Sequence, residues 1–194
     1  MLGESFEGVV VSDFYSAYNI YEGQHQRCWV HLLRDLSELR EAHAADSEIV
    51  AWCVGVKNLY YLACQMADEA ASQPERLDAV ARFTEMARQF GLPYAQADHP
   101  CRPLAKRLIR HMDELFLFIL YEDLSPDNNL AERSLRSLVV QRKISGGSRS
   151  ADGSPTCMRL ASLFQTWLAR QLNPLHECWR LLGFSPTWGI STQP

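Results

Sequence analysis

The sequence predicts a mostly α-helical fold with a small β remnant, and three observations support this prediction. A β-branched run, GVVVS at residues 8–12, is typical of a buried strand. A second short strand is expected within Gln26–Trp29, and from Val30 onward apolar residues recur with helical spacing through most of the chain. Because two short strands do not form an independently stable sheet, we expect this pair to lack its natural neighbours.

The composition is that of a chain with one substantial core. Of the 194 residues, 47% are hydrophobic, and no run reaches the ~18 apolar residues of a membrane span. The N-terminus has no signal-peptide pattern, so we expect a cytoplasmic protein with no membrane partner. Six cysteines are scattered along the helix-rich sequence, which indicates reduced thiols rather than a disulfide framework.

The helices are predicted from apolar periodicity and from capping residues. A helical turn is expected over Phe14–Tyr21, Ser47 is a predicted helix cap and Gly91 a predicted helix stop. A helix is expected to begin at Val30, and the later ones are predicted over residues 47–72, 75–91, 104–121, 125–143, 156–172 and 174–182. The strand, the turn and the first helix thus precede a long all-helical stretch.

Charge is distributed unevenly along the chain although the net charge is only −4. Residues 1–101 contain 15 acidic and 7 basic side chains, and residues 102–194 contain 8 acidic and 12 basic ones. Such asymmetry points to a polyanionic partner for the basic half. A solvated helix face would give the same counts, so charge alone leaves both interpretations open.

Asp13 stands at the end of the predicted first strand and is followed by the aromatic segment FYSAY. A carboxylate at a strand end is suited to a functional site. Asp is also a frequent cap for the turn that follows it, so a structural role is the alternative.

Cys28 and His31 are two residues apart in CWVHLLRD. A structural zinc site needs four such ligands, and the sequence contains no second pair, so zinc is not expected. The alternative is a buried cysteine and a histidine that begins a helix.

The segment SPDNNLAERSLRSLVVQRK, residues 125–143, has Asp127 in its predicted first turn, and after it a lone acid, Glu132, precedes five cations, the last of them Arg149, with no further acid until Asp152. On a helical wheel Asn128, Glu132 and Arg136 are stacked at intervals of four residues, beside a predicted buried stripe. That stripe consists of Ala131, Leu135, Leu138 and Val139. The sequence therefore predicts either a carboxylate at the edge of a packed helix face or an ordinary surface ion pair worth ~0.3–0.5 kcal/mol.

Asp13 and Glu132 together suggest metal-assisted phosphoryl transfer. Mg²⁺ prefers oxygen ligands and keeps several waters, so a few carboxylates suffice to hold it. Two such ions about 3.5–4 Å apart can activate an attacking oxygen and stabilise a leaving one. Neighbouring cations would neutralise DNA phosphates; they are Arg133, Arg136, Arg142, Lys143 and Arg149.

Four motifs in order resemble the C-terminal part of an IS66-type transposase. They are VVVSDFYSAYN, QRCWVHLLRDL, DNNLAERSLRSLVVQRKISGGSRSADGS and SLFQTW with a later NP. The resemblance implies a DDE transposase with an RNase H-like catalytic core and a Mg²⁺ or Mn²⁺ cofactor. It also implies Asp13 as the second catalytic acid and Glu132 as the third, both of them metal ligands, with Asn128, Asn129, Arg136, Cys28 and His31 as supporting residues.

The same resemblance implies a division of the chain. Residues 1–44 would be a partial RNase H-like core, 45–121 an all-α insertion, 122–183 the C-terminal catalytic helices and 184–194 a tail. The expected partners are insertion-sequence ends and target DNA, with full-length transposase or further copies of the chain, in the bacterial cytoplasm near the nucleoid.

The resemblance accounts for two of the three acids of a DDE site. Only Glu4 and Glu7 precede Asp13, and their segment MLGESFEG does not match the first catalytic strand of the family. We therefore expect a truncated RNase H-like core that does not cut or join DNA by itself. The alternative is a non-catalytic helical protein that binds DNA or a transposase.

Overall fold

The computed structural model describes residues 6–70, 72–147, 150 and 152–183. Arg149 and the predicted tail, 184–194, lie outside the described residues. The chain forms two compact units, residues 1–128 and 129–194. The prediction of a mostly helical chain with a small β component is confirmed, whereas the RNase H-like assignment and the division into four segments stay predictions.

In the first unit, two three-residue strands form a parallel pair. Strand β1 is Val10–Ser12 and strand β2 is His25–Arg27, with Val10 opposite His25. A 3-10 turn, Ser16–Ile20, connects them. The pair is shorter than predicted at both strands, and all three side chains of β2 are buried although they are polar.

Four helices build the core of this unit. They are α1, Trp29–Ala42; α2, Ser47–Glu69; α3, Gln73–Ala95; and α4, Arg102–His111. Two 3-10 turns, Met112–Glu114 and Leu117–Ile119, follow α4 where a single helix to residue 121 was predicted. That prediction is wrong because the backbone bends after His111, and Leu115, Phe116, Phe118 and Ile119 enter the core as a result.

The start of α2 and the end of α3 differ from the sequence prediction. Asp46, not Ser47, caps α2, since its carboxylate accepts the N–H groups of Glu48 and Ile49. Helix α3 continues through Gly91 to Ala95, so the predicted stop at Gly91 is wrong. A Cβ at Gly91 would lie 2.6 Å from Cγ1 of Ile109 on α4, so the glycine serves close packing of the two helices rather than chain termination.

The second unit consists of three helices among its described residues. They are α5, Asn129–Ser145; α6, Gly153–Ala169; and α7, Pro174–Leu181. Asn173 caps α7 by accepting the N–H of Leu175 at 2.9 Å. Neither α5 nor α7 contains a buried residue, and on α6 only Trp167 is buried.

Candidate functional site

Asp13 follows directly after β1, as the sequence predicts, and its side chain is partly buried. The Oδ1 atom accepts the backbone N–H of Tyr15 at 3.0 Å. The carboxylate thus caps the turn that leads into Ser16–Ile20, which is the structural role considered as the alternative for this residue. This hydrogen bond uses one of the two carboxylate oxygens of Asp13.

Arg27 fixes the backbone of Asp13 from the neighbouring strand. Its guanidinium is almost fully buried, and Nη1 donates to the Asp13 carbonyl oxygen at 3.0 Å. Nη2 donates to Oδ1 of Asn19 at 2.7 Å, and Nε forms an ion pair with Glu114. The arginine therefore ties the end of β1 to the turn after α4, and its loss would leave the Glu114 carboxylate without this cation.

Two buried histidines flank this arginine. The Ser12 hydroxyl donates to the Asp13 carbonyl, so Nε2 of His25, 2.9 Å away, is the donor to Ser12 Oγ. Burial, and then the Arg27 charge, lower the pKa of His25 below its usual 6.5. Burial also lowers the pKa of His111 by more than the adjacent Glu114 raises it. Both shifts favour the neutral form of the imidazole.

Glu114 carries the negative charge of this network. Burial raises the pKa of its carboxyl, but hydrogen bonds from Arg27 and from His111, whose Nδ1 lies 3.0 Å away, outweigh that effect and the pKa lies below 4.5. Sequence reasoning missed Arg27, His25 and Glu114. The available signal was the polar run HQR, residues 25–27, of which Gln26 and Arg27 lie in the predicted strand.

Cys28 connects the backbone next to Asp13 with the segment that precedes α5. Its N–H donates to the Ser12 carbonyl at 2.8 Å, and its buried Sγ accepts the N–H of Asn128 at 3.4 Å. The next residue, Trp29, donates its N–H to the carbonyl of Pro126 at 2.9 Å. The first residues of the Cys28-x-x-His31 motif thus anchor residues 126–128 to the end of the sheet.

His31 lies in the first turn of α1 and is partly buried. Within the described residues, no three His, Cys, Asp or Glu side chains are grouped as a metal site would require. All six cysteines, each of which the structure describes, are free thiols, in agreement with the prediction.

Helix α5 carries the acid and cations that the sequence singled out. Glu132, Arg133 and Arg136 lie in its first half and Arg142 and Lys143 in its last turn, and all five side chains are exposed. The predicted helix start is wrong by several residues, because Asn129 is the first helical residue and Asn128 precedes it. Asn128 therefore lies outside the helix, and its support of Glu132 stays a prediction.

The predicted buried stripe of α5 is also wrong for the unit as it stands. Leu135 is 52% exposed and Val139 50%, and Leu138 is only partly buried. Asp13 belongs to the first unit and Glu132 to the second, and their assignment to one site stays a prediction.

A family model described as Transposase IS66 family matches residues 1–155. The chain belongs to the IS66 transposase family. The matched range includes the strand that ends at Asp13, the Cys28-x-x-His31 motif and the first helix of the second unit with Glu132. The sequence-based recognition of the family is confirmed.

One relative is an uncharacterized protein, y4jO, of Sinorhizobium fredii (strain NBRC 101917 / NGR234). It is 30% identical over 182 residues, which cover 89% of this IS66 family chain and 54% of the relative, so the chain spans about half the length of that protein. No solved structure matches the chain. Among the described residues, no helix has the length and apolar character needed to cross a bilayer.

Proposed function

We propose that the chain takes part in DNA transposition by metal-dependent strand cleavage and transfer. In this proposal it supplies the second and third acids of a DDE site. Asp13 and Glu132 are the proposed metal ligands. The family match carries this proposal, because it covers both acids together with the motifs around them. The RNase H-like core is part of the same proposal.

The donor chemistry fits a hard divalent cation. Both proposed ligands are carboxylates, and Oδ1 of Asn128 is a buried amide oxygen that accepts no hydrogen bond within the described part of the chain. Oxygen donors of these types are the ones that Mg²⁺ and Mn²⁺ take. When bound, the ions would activate the attacking oxygen and stabilise the leaving oxygen of the phosphodiester.

The side chains of the chain would orient and neutralise the DNA around that chemistry. Arg27 and the Tyr15 N–H hold Asp13, and the exposed cations Arg133, Arg142 and Lys143 supply positive charge for phosphates. Arg149, which is outside the described residues, is proposed for the same role. DNA ends and target DNA are thus the proposed partners, with full-length transposase or further copies of the chain.

We also propose that these 194 residues do not cut DNA by themselves. The motifs account for only two of the three acids of a DDE site. Without the first acid, the two metal ions would lack a ligand that they share. A non-catalytic protein that binds DNA is the second candidate function. The exposed cations of α5 favour this second candidate, because DNA binding without catalysis would be enough to explain them.

The first test compares Mn²⁺ binding by the wild-type chain, Asp13→Asn and Glu132→Gln, measured by calorimetry. Asn at position 13 keeps an oxygen to accept the Tyr15 N–H, so the turn persists while the charge is lost. We expect each variant to bind Mn²⁺ at least about tenfold more weakly, as loss of a charged ligand implies. Asp68→Asn, an exposed acid on α2, is the matched control and should leave binding unchanged.

Equal Mn²⁺ affinity in the wild type and both site variants would refute the assignment of Asp13 and Glu132 as ligands. The same proteins are incubated with terminal-repeat duplex and Mg²⁺ or Mn²⁺. Nicking by the wild-type chain that Glu132→Gln abolishes would support the catalytic acids and refute the claim that the chain is inactive alone.

A further inference from the structure

A groove of about 320 Å³ runs between α1 and α2 in the first unit. Residues from successive turns of α1 and α2 line it, and they include the buried side chains Leu36 and Cys53. None of its residues belongs to the proposed metal site or to α5. Neither the sequence motifs nor the proposed function assigns a role to it.

Three cations line the groove: Arg34 and Arg40 on α1, and Lys57 on α2. None of the three forms an ion pair with a described acid, and no carboxylate is among the described lining residues. On α1, Asp35 is instead engaged by Arg107 of α4. The groove lining thus carries three cations without an ion-pair partner among the described residues, and one neighbouring carboxylate, that of Glu41, accepts a hydrogen bond from the lining residue Ser37 at 3.3 Å.

An aromatic ring stands beside these cations. Tyr61 is 53% exposed, lines the groove and lies 5.6 Å from the Lys57 ammonium group, measured to the ring centroid. Leu33 adds apolar surface to the same wall. Proteins bind single-stranded nucleic acid with this combination: cations line the path of the sugar–phosphate backbone, and an exposed aromatic ring beside them stacks on a base.

We propose that this groove binds single-stranded DNA, as an unpaired strand at or near the DNA end. The proposal rests on the proposed DNA function and extends it to a surface of its own. Arg34 and Arg40 are about 9 Å apart along the helix axis, which corresponds to about two to three nucleotides of a stacked strand. Their guanidinium groups and the Lys57 ammonium bind phosphates, and Tyr61 stacks on a base.

Size favours a single strand over a duplex. A volume of about 320 Å³ is at the small end of ligand-binding pockets, so it accepts a segment of nucleotide size and not two paired strands. The apolar floor also fits a base whose face is uncovered, whereas a duplex presents chiefly phosphates to an outer surface.

The test is the salt dependence of binding to a fluorescein-labelled oligo-dT of about 15 nucleotides, measured by anisotropy. The triple variant Arg34→Ala, Arg40→Ala and Lys57→Ala should bind more weakly, and the slope of log K against log salt should fall by about 2, at ~0.7 per phosphate contact. Tyr61→Leu should weaken binding about fivefold or more with the slope unchanged, because it removes stacking and no charge.

The matched control removes the same charge from exposed positions of α3 and α4, with Arg82→Ala, Arg102→Ala and Lys106→Ala. It should lower the slope by less than half as much. Circular dichroism and the melting temperature verify that all variants are folded. A groove variant whose slope equals that of this control, or one that loses duplex binding but keeps oligo-dT binding, overturns the proposal.

The failure of this proposal is distinguishable from failure of the proposed function. Duplex binding by the wild type, reduced by Arg142→Ala with Lys143→Ala, supports the DNA function independently of the groove. If the wild type binds the duplex but not oligo-dT, the groove proposal is wrong and the DNA function stands. If it binds neither, both are wrong.

Discussion

Cys28 illustrates how a single residue can hold two functional segments in place. It is fully buried, and it bonds the residue before Asp13 through its N–H and Asn128 through its Sγ. A thiol is a weak hydrogen-bond acceptor. Its loss would nevertheless leave the Asn128 N–H without an acceptor, and a buried N–H without a hydrogen bond is costly, so the contact stabilises the fold more than its own strength suggests. The motif that looked like half of a zinc site is, at this residue, an anchor.

We expect Cys28→Ala to lower the free energy of unfolding of the first unit by about 1–2 kcal/mol, because the Asn128 N–H loses its acceptor. The amide of Asn128 should then exchange with solvent faster, as hydrogen-exchange NMR would show. Cys178→Ala, at a partly buried cysteine of the second unit, is the control and should leave that amide unchanged. Unchanged exchange of Asn128 in Cys28→Ala would contradict the anchoring role.

At the scale of elements, the helix pair α3 and α4 depends on the absence of a side chain at Gly91. An added Cβ would also approach the carbonyl oxygen of Ala105 to 3.2 Å, and a backbone atom cannot turn away as a side chain can. Glycine is an unfavourable residue in a helix interior, and the close packing of α3 against α4 offsets this loss of stability.

Gly91→Val should therefore destabilise the first unit by about 1–3 kcal/mol, through overpacking against Ile109 and Ala105. Chemical denaturation monitored by tryptophan fluorescence measures the change. Leu92→Val, at the next and half-exposed position of α3, should cost well under 1 kcal/mol. Helix propensity alone favours valine over glycine, so a cost at Gly91→Val no larger than that at Leu92→Val would contradict the packing role of Gly91.

At the scale of the whole molecule, the buried polar network beside Asp13 makes stability depend on pH. His25 and His111 have pKa values below 6.5 when folded, so the unfolded chain binds more protons as the pH falls. Their contribution is complete above pH 6.5 and is lost as the pH falls from there through the folded pKa values. Glu114, whose pKa is below 4.5, stays charged in the upper part of that range.

The melting temperature of the first unit should thus be lower at about pH 5.5 than at about pH 7.5, by a few degrees. His111→Gln should narrow that difference, since it removes one of the two groups that must gain a proton. His176→Gln, at an exposed histidine of α7, should leave the difference unchanged. Differential scanning calorimetry at the two pH values decides, and an equal drop in His111→Gln would refute the role of His111.

The sequence by itself determined the family, the helical content and the location of Asp13 at a strand end, because these depend on local periodicity and on ordered motifs. It placed the boundaries of helices less well. Asp46 and Gly91 were misjudged because a cap or a helix–helix contact depends on backbone geometry that residue type alone does not give.

Only the tertiary structure decided which polar residues are buried together. Arg27 meets Glu114, which is 87 residues away, and Cys28 meets Asn128, which is 100 residues away. Contacts at such separations follow from how α1 to α4 pack, and periodicity within each helix does not encode them. The cation-lined groove between α1 and α2 arises for the same reason, since its cations lie on two helices that only packing brings side by side.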